Sequence, residues 1–183
     1  MNRQDALNLL HEYTKSDSLR KHAYAVEAAM RAYAKKFGED EETWGVVGLV
    51  HDFDYEVHPD VPDHPMKGSE ILRERGLSDD LRQDIISHVP QMNVPRDSPM
   101  AKALFACDEL CGFIVACALV RPTRLVGLEA ASVQKKLKDK AFARTVSRED
   151  ILKGVAELGV PADEHIRFVV EALTNIQQEL GLT

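Results

Sequence analysis

Gly48-Leu49-Val50-His51-Asp52-Phe53-Asp54 sets a histidine and an aspartate side by side at the end of an apolar run. Trp44, Val47 and His51 fall at i, i+3 and i+7, so a helix over this run turns His51 inward. The acidic residues Glu39 to Glu42 suit its N-terminus, where carboxylates complement the macrodipole. Gly45 and Gly48 leave room for a neighbouring helix to come close. Beyond Asp52 the periodicity dissolves, and Pro59, Pro62 and Pro65 oppose any continuing helix. A loop therefore starts beside the His-Asp pair.

Upstream, Leu7, Leu10 and Tyr13 recur at helical spacing in a short helix from about Gln4 to Tyr13. Ser16-Asp17-Ser18 offers cap oxygens for a second helix, whose stripe of Leu19, Ala23, Val26, Met30, Tyr33 and Phe37 ends at Gly38. His22, one turn before Val26, points inward. Arg20, Lys21, Glu27, Arg31 and Lys35 are assigned to its other faces.

Downstream, Pro65 opens a fourth helix that runs through Ile71 and Leu72 to Gly76, with His64 immediately before it. Ser78-Asp79-Asp80 caps a fifth, with Leu81, Ile85 and His88 inward and Pro90 as the stop. Ser98-Pro99 starts the long sixth helix, Pro99 to about Val120, in which Leu104, Asp108, Cys111 and Val115 share a face. A carboxylate on so apolar a helix needs a partner, because an unpaired buried charge is too costly to keep. After Arg121-Pro122 come Leu125, Leu128 and the basic stretch Lys135 to Lys140. Ser147-Arg148-Glu149-Asp150 has the S-x-x-D form of a capping box before Ile151, Leu152, Val155 and Leu158. A last helix follows Pro161, its stripe running from Ile166 to Leu180 and closing at Gly181. Nothing alternates with β periodicity, so the chain reads as an all-α, single-domain array of about eight helices over residues 1–183.

The formal charge of −7 argues against a nucleic-acid polymer as partner, since backbone binding needs a cationic surface to displace counterions. An anionic ligand then requires locally placed cations or a metal. Residues 103–120 carry Asp108 and Glu109 inside the apolar run, which favours a buried helix over a membrane span. The start of the chain lacks a signal-type apolar core, and the three cysteines (Cys107, Cys111 and Cys117) are odd in number, so a reduced, cytoplasmic setting is expected. The cysteines themselves are expected in the core.

His22, the pair His51-Asp52, and Asp108 together resemble the H…HD…D pattern of the HD superfamily of metal-dependent phosphohydrolases. The resemblance covers roughly Leu19 to Val120. It implies an HD-type helical domain with its core at about 19–120 and additional C-terminal helices at about 123–181. It also implies a divalent metal (Mn, Fe, Mg, Ni, Co or Zn) held by His22, His51, Asp52 and Asp108. In the HDIG-type and other two-metal branches two further histidines lie between the HD pair and the last aspartate. The matching positions are His64 and His88, which implies a second ion bridged by Asp52. Phe53-Asp54 stands here where the HDIG branch has Ile-Gly, and Val89 where a second adjacent histidine is common.

The reaction implied is hydrolysis of a phosphate ester, a nucleotide or related phosphorylated small molecule, by metal-activated water, with His51 and Asp52 at its centre. Two alternatives stand beside it: some HD-fold proteins hold two irons with the same six ligands and activate oxygen, and a metal- or nucleotide-binding regulatory module needs no turnover. Lys67 is a candidate for substrate phosphate, with Arg96, Lys102 and Arg121 behind it. Asp54 and Glu56 are either loop carboxylates or groups that orient a ligand imidazole. His11 reads as a surface residue, and His58 and His165 carry no signal beyond their type.

Overall fold

Short polar side chains set the helix starts. Asn2 and Asp5 form a reciprocal capping box at α1 (Arg3–Tyr13). Asp40 accepts the Thr43 N–H at 2.7 Å to open α3 (Glu41–Val50). Ser98 accepts the Ala101 N–H at 2.9 Å ahead of α6 (Pro99–Leu119), with Pro99 at the first helical position. The computed structural model describes residues 1–183. Its other helices are α2 (Asp17–Phe37), α4 (Asp63–Glu74), α5 (Asp79–Ile86), α7 (Ala130–Leu137), α8 (Arg148–Leu158) and α9 (Ala162–Asn175), with a 3-10 turn at Pro90–Met92 and no strand. No helix is long and apolar enough to cross a membrane.

The two longest helices, α2 and α6, pack on each other, with α3 and α9 against α2, and α8 and α9 against α6. The approach of α3 to α2 depends on Gly48, where an added Cβ would lie 2.9 Å from the Glu27 Cα. One hydrophobic core cluster runs from Ala6 to Leu182. Cys107, Cys111 and Cys117 are free and buried in it, as expected of small core residues.

The all-α array of about eight helices holds with nine, the one not assigned being α7, which starts ahead of the basic stretch and runs into it: Ala130 and Val133 are buried while Lys135 stays exposed. Three sequence expectations need correction. The last helix ends at Asn175, where Ile176 departs to φ −118°; turns follow, and they still bury Leu180 and Leu182. Glu27 is not on an outer face but 4% exposed, held by Arg3 at 2.6 Å and Arg31 at 2.8 Å, so its charge is buried as part of a triad. At Ser147 only half of a capping box forms. Its hydroxyl accepts the Asp150 N–H at 3.2 Å, but its own N–H donates to Glu109 Oε2 at 3.0 Å.

Candidate metal centre

Five segments deliver six side chains to one place. His22 comes from α2, His51 from the C-terminal cap of α3, and Asp52 from the residue after it. His64 sits at the start of α4, with an extended ψ of 128° that turns its ring away from the helix path. His88 lies just past α5, and Asp108 is mid-way along α6. Ligand atoms of His22, His51, Asp52 and Asp108 all lie within 4.8 Å of one another, and so do those of Asp52, His64 and His88. Asp52 belongs to both groups.

Hydrogen bonds on the far side of three of the rings, those of His51, His64 and His88, fix which nitrogen faces the cluster. His51 Nδ1–H donates to the Gly48 carbonyl at 2.8 Å, and His88 Nδ1–H to the Ile85 carbonyl at 2.5 Å. His64 Nδ1 meets Asp54 Oδ1 at 3.0 Å, while Asp54 Oδ2 accepts the Gly68 N–H at 3.0 Å. Asp54 is thus a buried carboxylate that orients an imidazole. A Cβ at Gly68 would collide with that carboxylate, 2.5 Å from its Cγ. Glu56, the other acid considered for such a role, instead accepts the N–H groups of Lys15 and Ser16.

The Nε2 atoms consequently point at carboxylate oxygens. His22 Nε2 is 3.0 Å from Asp108 Oδ1, and His64 and His88 Nε2 are 3.2 and 2.9 Å from Asp52 Oδ1. His51 Nε2, fully buried, lies 3.4 Å from Asp108 and 3.6 Å from Asp52 and has no hydrogen-bond partner. An imidazole lone pair facing a carboxylate is repulsive unless a proton or a cation lies between them. The proton affinities express this. Burial alone would lower the pKa of His51, but Asp52 and Asp108 outweigh it and raise it to about 9. Burial likewise opposes the rise at His64, where Asp52 and Asp54 bring it to about 9. Partial burial of Asp52 and Asp108 favours their neutral forms, yet the surrounding imidazoles hold both well below the usual carboxylate range. The orphaned Nε2 of His51 and a donor set of imidazoles and carboxylates fit a divalent cation.

A cleft of about 190 Å³ reaches the cluster, lined by Asp52, His64, His88 and Asp108 together with Tyr55, Glu109 and Asp150. No lysine or arginine lines it. Lys67 is half exposed and paired with Asp63 at 2.9 Å, away from the lining. Arg96 is spent on Glu157 at 2.6 Å and on the Ser87 carbonyl at 2.7 Å. Arg121 bonds backbone carbonyls of its own turn.

A model of the HD domain family matches residues 19–112, more than half of the chain. The chain belongs to the HD domain family. The matched span of this HD domain opens just before His22 and closes just after Asp108, so it contains all six clustered side chains. No curated protein and no solved structure matches the chain.

Sequence reasoning passed over two residues of this cleft and a buried histidine outside its lining. Glu109 is one residue from Asp108, about 100° further round the helix, and reaches the cleft lip; burial, with Asp108 beside it, raises its pKa to about 7. Asp150 was read as a cap residue only, and α8 brings it to the same lip. His165 is fully buried, its Nε2–H donating to the Ala106 carbonyl at 3.0 Å and its Nδ1 accepting from the Tyr33 hydroxyl at 2.6 Å. Periodicity places His165 beside Ile166 but does not say what it meets.

Proposed function

We propose that the chain is a metal-dependent hydrolase of a phosphate ester on a small molecule. His22, His51, Asp52 and Asp108 would hold one divalent ion, and Asp52, His64 and His88 a second. Membership of the HD domain family, whose members are mostly metal-dependent phosphohydrolases, supports this reading. The observation that carries it is the shared carboxylate of Asp52, common to two groups of potential ligands in which backing hydrogen bonds already aim the Nε2 atoms of His51, His64 and His88 inward. When bound, a divalent metal polarises a phosphoryl oxygen and lowers the pKa of nearby water.

The chain's own residues set the rest. With no lysine or arginine in the cleft, an anionic group has no protein cation to meet there, and Glu109 and Asp150 at the lip oppose surplus negative charge. A phosphomonoester, such as a nucleoside monophosphate, suits that balance better than a triphosphate. Tyr55, 41% exposed and edge-on to His64, offers a flat surface to the organic part of the substrate.

The test is metal content of protein purified without chelator, then phosphate release over a panel of phosphomonoesters with Mn²⁺ or Mg²⁺ under anaerobic conditions. Asp52→Ala should abolish release. Iron-dependent oxygen consumption with no ester cleaved would instead favour the di-iron alternative. Metal and nucleotide binding with no turnover of either kind would favour a regulatory module.

A further inference from the structure

The positive charge of this acidic chain is concentrated in one place. Residues 121–148 hold Arg121, Arg124, Lys135, Lys136, Lys138, Lys140, Arg144 and Arg148 against two carboxylates, Glu129 and Asp139, in a molecule of net charge −7. Ion pairs elsewhere occupy Arg3, Lys21, Arg31, Lys36, Lys67, Arg75, Arg82, Arg96, Lys153 and Arg167. None of the eight cations of 121–148 takes part in one. Like charges gathered without counter-charges repel one another, so the arrangement costs stability unless something anionic offsets it.

Three of these cations line one cavity. It measures about 350 Å³, within the size range of small-molecule sites, and lies between the end of α6 and α7. Arg121, Lys135, Lys136, the Ser132 hydroxyl and one carboxylate, Asp139, line it together with the apolar Cys117, Val120 and Leu128. Arg121 is held in advance: its Nε–H donates to the Arg124 carbonyl at 3.0 Å and its Nη2 to the Val126 carbonyl at 2.9 Å. Its Nη1 makes no bond, which leaves a fixed cation with a free donor edge. Lys136 lies over the Phe142 ring at 4.6 Å and is likewise positioned without a carboxylate. Cys117 is nine residues beyond Asp108 on α6, so the cavity sits about 14 Å along the helix from the candidate metal centre.

We infer that the cavity between α6 and α7 is a second ligand site, separate from the metal centre, that binds the di- or triphosphate group of a small molecule. Three cations against the single carboxylate of Asp139 give this concave lining a surplus of positive charge, which favours a compact polyanion. A nucleic-acid strand would need the same charges spread along an open stripe. Cys117 and Leu128 give the cavity a buried apolar base, and Ser132 adds a neutral donor to the lining. The inference rests on the charge of this cavity and stands whether or not the metal centre hydrolyses esters.

The experiment is calorimetric titration of the full chain with inorganic tripolyphosphate, with EDTA present so that no metal draws the anion to the other site. Three proteins are compared: wild type, Lys135→Gln/Lys136→Gln, and Asp52→Ala. Lys135 is exposed and Lys136 half-buried, and circular dichroism checks that the helices remain. Binding to wild type and to Asp52→Ala alike, weakened tenfold or more in the double variant and by added salt, is the expected result. Binding of equal strength in the double variant, or none in wild type, overturns the inference. Loss in Asp52→Ala alone would also overturn it, by placing the anion at the metal centre. Tighter binding of a single-stranded oligonucleotide than of tripolyphosphate would overturn it in favour of an extended polyanion surface.

Discussion

His165 shows how a single residue acquires a role that its identity does not announce. Bonded at both nitrogens between Tyr33 and Ala106, it must be neutral, and burial lowers its pKa accordingly. The unfolded chain then takes up a proton at this position near the ordinary value of 6.5 that the native chain refuses. Its contribution to stability is therefore complete above about pH 6.5 and declines as pH falls from there toward the lowered native value. In chemical denaturation from pH 8 down to pH 5, wild type should lose stability relative to His165→Gln as pH falls, and the variant should be less stable at pH 8 by about 1–3 kcal/mol. An equal pH slope in the variant would assign the decline to other groups. Asp54 is a second case. If His64 is a metal ligand, Asp54→Asn should weaken the second ion by about 10–100-fold, because the amide cannot serve both the His64 ring and the Gly68 N–H as the carboxylate does. Metal titration that gives unchanged affinity for both ions would remove Asp54 from the centre.

At the scale of elements, most of the architecture was readable from apolar spacing and cap chemistry. The starts of α1, α3, α6 and α8 coincide with short polar residues whose side chains do accept the early N–H groups. What escaped had weak periodic signal: α7 is two turns long, and a run of lysines hides its buried Ala130 and Val133. Glu27 was misassigned because a helical stripe says which face is buried but not that two arginines follow a carboxylate inside. The six clustered side chains were legible as a set because their order along the chain is distinctive. Glu109 and Asp150 were not, since the lip they share is made by packing α8 on α6 and no spacing within either helix reveals it. One helix pair offers a direct test. Gly48→Ala puts a methyl group against the backbone at Glu27, so α2 and α3 must separate; the change should cost about 1–3 kcal/mol in denaturant unfolding. It should also loosen His22 relative to His51, reducing metal affinity in the same preparation. A variant with wild-type stability would mean that the helices have slack there.

Over the whole molecule, the C-terminal helices are bound to the matched span by more than apolar contact. Glu109 accepts the Ser147 N–H, Arg96 is clamped to Glu157, and Tyr33 on α2 bonds His165 on α9. We expect truncation after residue 120 to bare the α6 face that α8 and α9 cover. The fragment should bind a hydrophobic dye and lose near-ultraviolet dichroism while keeping much of its helix. A fragment with native near-ultraviolet signal and no dye binding would show that residues 19–120 stand alone.

The burial of the three cysteines along α6 turns the chain into its own clock. Cys107 and Cys111 bracket Asp108, both are sealed in the core, and burial pushes the Cys117 thiol up to about 11. A thiol reagent can modify Cys107 and Cys111 only when α6 comes free of its neighbours, so their modification rate reads the frequency of that opening. Slower labelling on adding a divalent metal, with no dye attached and no residue replaced, would report that the ion engages the helix carrying Asp108.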